Sequence, residues 1–143
     1  MSETTVLQLE VSKVVAASRE QVFQAWLDAK MLQQFMIPGE GMQVGQVEVD
    51  AREGGDFLLV MQAGEDQIPH RGTYKKIQKF EELAFTWVSA YTQEDSLVEL
   101  FFKELSPKET EVTLRHSNFP NEASRDNHQG GWASILEKLE QVS

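Results

Sequence analysis

The strongest constraint on the fold sits at the C-terminal end of the chain. A β-like run, Glu111–Val112–Thr113–Leu114–Arg115–His116, breaks at Ser117–Asn118–Phe119–Pro120 and gives way to one long helical pattern. In that pattern Trp132, Ile135, Leu136 and Leu139 recur on one face, with Gly130–Gly131 at the waist. A helix over Asn121–Gln141 would be ~30 Å long, enough to cross a sheet. Nearly everything upstream alternates as strands do, and a sheet with one apolar face must bury it against another layer. The last helix is the element able to supply that layer.

The upstream pattern is specific about order. Leu7, Leu9 and Val11 oppose Gln8, Glu10 and Ser12, a strand with one buried side. Ser18 and Gln21 form an S-x-x-Q capping box, opening a helix that carries Val22, Phe23, Trp26 and Leu27 on one face. A second short helix over Lys30–Phe35 ends before Pro38–Gly39. From Gly41 the text is β. Val47, Val49 and Ala51 alternate, Gly54–Gly55 turns the chain, and Phe57–Met61 is apolar on both parities, as a central strand is. Strands follow over His70–Phe80, with Tyr74 and Ile77 as anchors, over Leu83–Phe85–Trp87, and over Leu97–Leu105, with Val98, Leu100 and Phe102 on one face. Short turns join them, which favours an antiparallel meander. The expectation is a single α+β domain over residues 1–143: a curved antiparallel sheet of about six to seven strands around a long C-terminal helix, with two short helices after the first strand. Where helices do not fill the curve, a cavity remains.

Composition removes several classes of function. Thirteen basic against 23 acidic residues give a net charge of −10, which repels nucleic acid and anionic membrane surfaces alike. Lys75, Lys76 and Lys79 form a local basic patch within that acidic average. With no cysteine, disulfides, thiolate metal sites and a Cys nucleophile are excluded. Met1–Ser2–Glu3–Thr4–Thr5 lacks the basic and apolar regions of a signal peptide, and no apolar run nears the ~20 residues that span a bilayer. A cytoplasmic protein is expected.

Six segments in order resemble the activator-of-heat-shock-protein-90-ATPase homologue family, within the START-like, helix-grip (SRPBCC) superfamily. They are Ser18–Arg19–Glu20–Gln21–Val22–Phe23–Gln24–Ala25–Trp26, Arg52–Glu53–Gly54–Gly55–Asp56–Phe57 and His70–Arg71–Gly72–Thr73–Tyr74. The other three are Leu83–Ala84–Phe85–Thr86–Trp87, Leu114–Arg115–His116–Ser117–Asn118–Phe119–Pro120 and His128–Gln129–Gly130–Gly131–Trp132. The resemblance implies a helix-grip fold with a ligand cavity. One segment departs from it: where the family carries a Trp-containing pair before Gly-Pro, this chain has Phe35–Met36–Ile37–Pro38–Gly39. The family's name comes from the C-terminal domain of a eukaryotic co-chaperone whose partner-activating half is a separate domain, which is not expected within these 143 residues.

The chemistry-bearing residues are few. Arg52–Glu53–Gly54–Gly55 is best explained as a turn needing positive φ, since no helix and Lys follow it as in a phosphate loop. The three histidines, His70, His116 and His128, lack the spacing of a metal site, and no metal or cofactor is expected. His116 continues the inward phase of Val112 and Leu114, and His128 lies one turn before Trp132 on the same helix face. Both can be polar groups of a pocket, but the favoured expectation has His116 hydrogen-bonded to its own turn at Ser117 and Asn118. Gly131 is expected to let the helix approach the sheet, with Trp132 filling the core and partly lining the cavity. Arg115 is expected at the surface. Arg71 is expected to pair with Glu82 or an anionic ligand. Glu122, Glu137 and Glu140 are expected on the solvated face of the helix.

The leading expectation is a binding module for a hydrophobic, lipid- or polyketide-like small molecule. Its cavity would be lined by Trp26, Phe35, Met61, Trp87, Phe101 or its neighbour Phe102, His116, His128 and Trp132. A chaperone-linked or stress-response interaction domain is the alternative. A cyclase- or hydrolase-type enzyme using His116 and His128 is the third reading, since no Ser–His–Asp arrangement is legible.

Overall fold

The computed structural model describes residues 7–39 and 41–142. The Met1–Thr5 segment lies outside them. The first strand, β1 (Gln8–Val15), leads into α1 (Arg19–Ala25). The capping box at its start is complete: the Gln21 N–H donates to Ser18 Oγ at 3.2 Å, and the Ser18 N–H donates to Gln21 Oε1 at 3.4 Å. Asp28 caps α2 (Ala29–Phe35), its Oδ1 accepting from the N–H groups of Lys30 at 2.8 Å and Met31 at 3.2 Å. That cap starts the helix one residue before the expected Lys30.

Six strands follow: β2 (Met42–Val49), β3 (Asp56–Ala63), β4 (Asp66–Gln78), β5 (Glu82–Thr86), β6 (Leu97–Ser106) and β7 (Glu109–Ser117). They form one seven-stranded antiparallel sheet in the order β1-β7-β6-β5-β4-β3-β2. Chain neighbours pair throughout the meander, and β1 closes on β7, which leaves β1 and β2 as the edges. Register shifts at Val44/Val47, Tyr74/Lys76 and Glu104/Ser106 bend three strands and help to curl the sheet. Gly54 turns the β2–β3 connection at φ +85°. Gly72 allows a close approach of β4: a Cβ there would lie 1.9 Å from the Thr86 carbonyl oxygen and 2.6 Å from the Phe57 ring.

The last helix, α3 (Glu122–Val142), packs mainly on β1 and α2, while α1 rests on β6 and β7. Its buried residues include Trp132, Ile135, Leu136 and Leu139. They join Val22, Leu100, Val112 and Leu114 in the core, where Phe23 stands edge-on to Phe102 at 5.4 Å. No helix of the described residues is long and apolar enough to cross a membrane.

Candidate binding cavity between the sheet and the last helix

A cavity of about 260 Å³ opens between the sheet and the first half of α3. The sheet contributes Met42 of β2, Met61 of β3, and Ile68 and His70 of β4, with Trp87 just beyond β5. The helix contributes Asn127, His128, Gly131, Trp132 and Ile135, and Pro38 and Tyr91 complete the wall. Alternation explains the sheet side: Ile68, His70, Gly72 and Tyr74 share one parity of β4 and turn inward together. Gly131 admits Pro38, whose Cβ lies 3.1 Å from where a side chain would begin. The close approach is therefore to the α2–β2 loop, not to the sheet as expected. Among the described residues no carboxylate lines the cavity.

The three imidazoles are arranged differently. His116 is fully buried and engaged at both nitrogens: Trp132 Nε1–H donates to its Nδ1 at 3.0 Å, and its Nε2 lies 2.6 Å from Ser96 Oγ. Indole only donates, so Nδ1 is the acceptor and the neutral ring carries its proton on Nε2, facing Ser96. Burial, and then the neighbouring His128, push the His116 pKa down to about 2. His128 Nδ1–H donates to the Ser124 carbonyl oxygen at 2.7 Å, and burial lowers its pKa. His70 Nδ1–H donates to the Ile68 carbonyl oxygen at 3.0 Å, and chiefly burial lowers its pKa to about 4. In their neutral forms His70 and His128 each keep a lone pair on Nε2. Near neutral pH all three imidazoles are uncharged.

The rings form a continuous aromatic wall. His70 lies against Trp87 at 4.7 Å between centroids, Trp87 against Trp132 at 5.0 Å, and His116 edge-on to His128 at 5.2 Å. Of the residues expected around a cavity, Met61, Trp87, His128 and Trp132 border this one. His116 sits behind it and positions the Trp132 indole, bonding neither Ser117 nor Asn118 as expected. Asn118 instead takes a positive φ of 67° and donates its side-chain amide to the Asp95 carbonyl oxygen at 2.8 Å. Phe101 is on the opposite face of the sheet, 5.5 Å from the Arg115 guanidinium, and Phe102 packs on Phe23. Arg115 pairs with Glu10 across β1 and β7. Arg71 pairs with Glu94 rather than Glu82. Glu122 and Glu137 are exposed, while Glu140 reaches Lys13 at 3.4 Å.

Trp26 and Phe35 are core residues, edge-on to each other at 4.9 Å, and neither borders the main cavity. Trp26 instead lines a second, smaller chamber of about 20 Å³, together with Leu32, Met36, Phe57, Leu59, Tyr74, Phe85 and the far side of the Trp87 wall. His70 is the main cavity residue that the sequence reading passed over. Its parity with Tyr74, already identified as an anchor, was the signal. Among the described residues no cluster of three or more His, Cys, Asp or Glu is placed to hold a metal ion.

Comparison with known proteins agrees with this architecture. No curated protein matches the chain. A crystal structure from Chromobacterium violaceum superposes with a TM-score of 0.85 at 22% identity, over 95% of this chain and 96% of that one. The AHSA1 protein of Silicibacter pomeroyi gives 0.80 at 25% identity, covering 95% and 96%. A Plasmodium falciparum protein described as an HSP90 activator gives 0.74 at 24% identity, covering 94% of each chain. The model of the family "Activator of Hsp90 ATPase homolog 1-like protein" matches residues 16–143. With its helix-grip architecture and that match over most of its length, the chain belongs to the Activator of Hsp90 ATPase homolog 1-like family.

Proposed function

We propose that this protein binds a compact, largely apolar small molecule in the cavity beside α3, with a polar group of the ligand facing His70 and His128. The observation that supports this reading is the wall itself: Trp87, Trp132, Met42, Met61 and Ile68 surround histidines held neutral, with no carboxylate among the described residues that line it. Sites of this kind take apolar ligands and use a few polar groups to orient them. The two Nε2 lone pairs suit a ligand that donates a hydrogen bond. The enzymatic alternative loses one of its two groups, because His116 does not border the cavity and both its nitrogens are engaged. The test is native mass spectrometry of the purified protein, followed by a thermal-shift panel of lipids, isoprenoids and polyketide-like aromatics. A true ligand at a hundredfold excess over Kd adds about 2.7 kcal/mol of stability. A panel that shifts neither the melting temperature nor any cavity resonance would sink the proposal.

A second reading, contact with a chaperone, is supported by family membership and by the description of the Plasmodium relative as an HSP90 activator. Its test is the ATPase rate of a purified Hsp90 protein with and without this chain. An unchanged rate and no co-sedimentation reject it.

A further inference from the structure

The inner part of the main cavity wall offers a hydrogen-bond acceptor and keeps its donors back. Trp132 Nε1–H is engaged by His116 Nδ1 at 3.0 Å, and Trp87 Nε1 is buried with almost no open surface around it. The Nδ1–H groups of His70 and His128 are taken by the carbonyl oxygens of Ile68 and Ser124. A carbonyl oxygen only accepts, so each neutral imidazole carries its proton on Nδ1 and a lone pair on Nε2. The Leu59 carbonyl also lies beside the His70 ring. Among the described residues His128 has no second hydrogen-bond partner, and its Nε2, unlike the indole nitrogen of Trp87, is not closed off from open space. The half-buried His128 borders this cavity and not the neighbouring groove of Ser124 and Asn127, so the cavity is where that lone pair is offered. The other polar wall residues, Tyr91 and Asn127, are exposed and meet water.

We propose that the cavity selects a neutral, hydroxyl-bearing apolar molecule of one or two rings, an alcohol or phenol whose O–H donates to His128 Nε2. The inference rests on the binding function proposed above and names the class of ligand for that same site. Size sets the upper bound: a dry apolar cavity of about 150 Å³ admits benzene, and the space of about 260 Å³ here admits a second fused ring. An ether or ketone brings only acceptors and leaves the His128 lone pair unanswered, which disfavours it. A carboxylate is also selected against, because among the described residues no Lys or Arg lines the cavity and an unpaired charge is costly to bury.

The probes are naphthol, methoxynaphthalene and naphthoate, each substituted at the same ring carbon, which offer a donor, an acceptor alone and an anion. Each is titrated near neutral pH into the full chain labelled with ¹⁵N at histidine. Affinity is read by calorimetry, and the imidazole nitrogens are followed in long-range ¹H–¹⁵N spectra. Naphthol is expected to bind about tenfold more tightly than either of the others. It is also expected to move the unprotonated Nε2 of His128 upfield, which methoxynaphthalene does not do. His128→Leu is expected to bring naphthol and its ether to within about twofold of each other. The wild-type spectra decide the matter even if the variant fails to fold. Equal binding of naphthol and ether, with cavity resonances moving and His128 Nε2 unmoved, overturns the hydroxyl selection and leaves the binding function standing. A free chain whose His128 proton sits on Nε2, or a naphthoate that binds more tightly than naphthol, overturns it too. Binding of none of the three overturns the selection and counts against the binding function as well.

Discussion

The two halves of α3 face the same sheet and do opposite things. In the second half, beyond Ile135 at the cavity's edge, Leu136 and Leu139 join Val22, Leu83, Leu100, Val112 and Leu114 in an aliphatic core. In the first half, His128 and Trp132 meet His70 and Trp87 around open space, with polar groups taken out of water. The aliphatic half stabilises by removing apolar area from water, at roughly 25 cal/mol per Å². The cavity half forgoes close packing and must keep three imidazoles neutral and hydrogen-bonded. One helix thus carries a region packed into the core and a region that borders open space.

That contrast can be broken or sharpened by experiment. The largest effect belongs to the aliphatic half: Leu136→Ala should cost about 2–5 kcal/mol in urea unfolding, through lost burial and the cavity left behind. A cost below 1 kcal/mol would mean that this half is not the packed one. The next effect is a pH dependence that belongs to the cavity half. The folded pKa values of His70, His116 and His128 are all depressed, so the unfolded chain binds more protons just below its ordinary pKa of 6.5. Stability is therefore complete above pH 6.5 and falls as pH drops from there toward 4. His70 alone contributes on the order of 3 kcal/mol across that window. Unfolding free energy measured between pH 7 and 5 should decline, and His70→Gln should flatten the slope by about one proton. A flat profile would mean that the histidines titrate as exposed groups do.

Trp132→Phe keeps a ring of similar shape but leaves His116 Nδ1 without its donor, 3.0 Å away in the wild type. It should cost about 1–3 kcal/mol and raise the pH at which acid unfolding begins. The smallest effect is expected at the cavity wall. Met42 is half-buried and already borders open space, so Met42→Ala should cost about 1 kcal/mol or less in thermal unfolding. The same change should shift ligand preference toward bulkier molecules, which isothermal titration with a size series would read. A loss as large as that of Leu136→Ala would erase the distinction between the halves.

Much of this architecture can be read from residue order. The capping box at Ser18 and Gln21, the turn glycine at position 54, the parity of β7 that buries His116 and the apolar stripe of α3 are local signals, and the structure contains each of them. The cavity wall was less legible. Alternation in β6 puts Val98, Leu100 and Phe102 on one face, and that face is the buried one, with Phe101 beside Arg115 outside. Parity does not say which inward ring borders the cavity: Phe102 packs on Phe23 instead. Trp26 and Phe35 have the apolar character of pocket residues, yet their edge-on contact places them in the core behind the wall.

What the sequence determined by itself was therefore the set of elements and which side of each faces inward. Those follow from capping, turn chemistry and alternation, interactions that reach only a few residues along the chain. Only the tertiary structure decided depth: that His70 joins the cavity and that His116 stands behind it holding Trp132. Depth depends on how far each strand slides, bends and approaches its neighbours, as where Gly72 lets β4 close on Thr86. Such distances are set by contacts between residues far apart in the chain, and no local pattern encodes them.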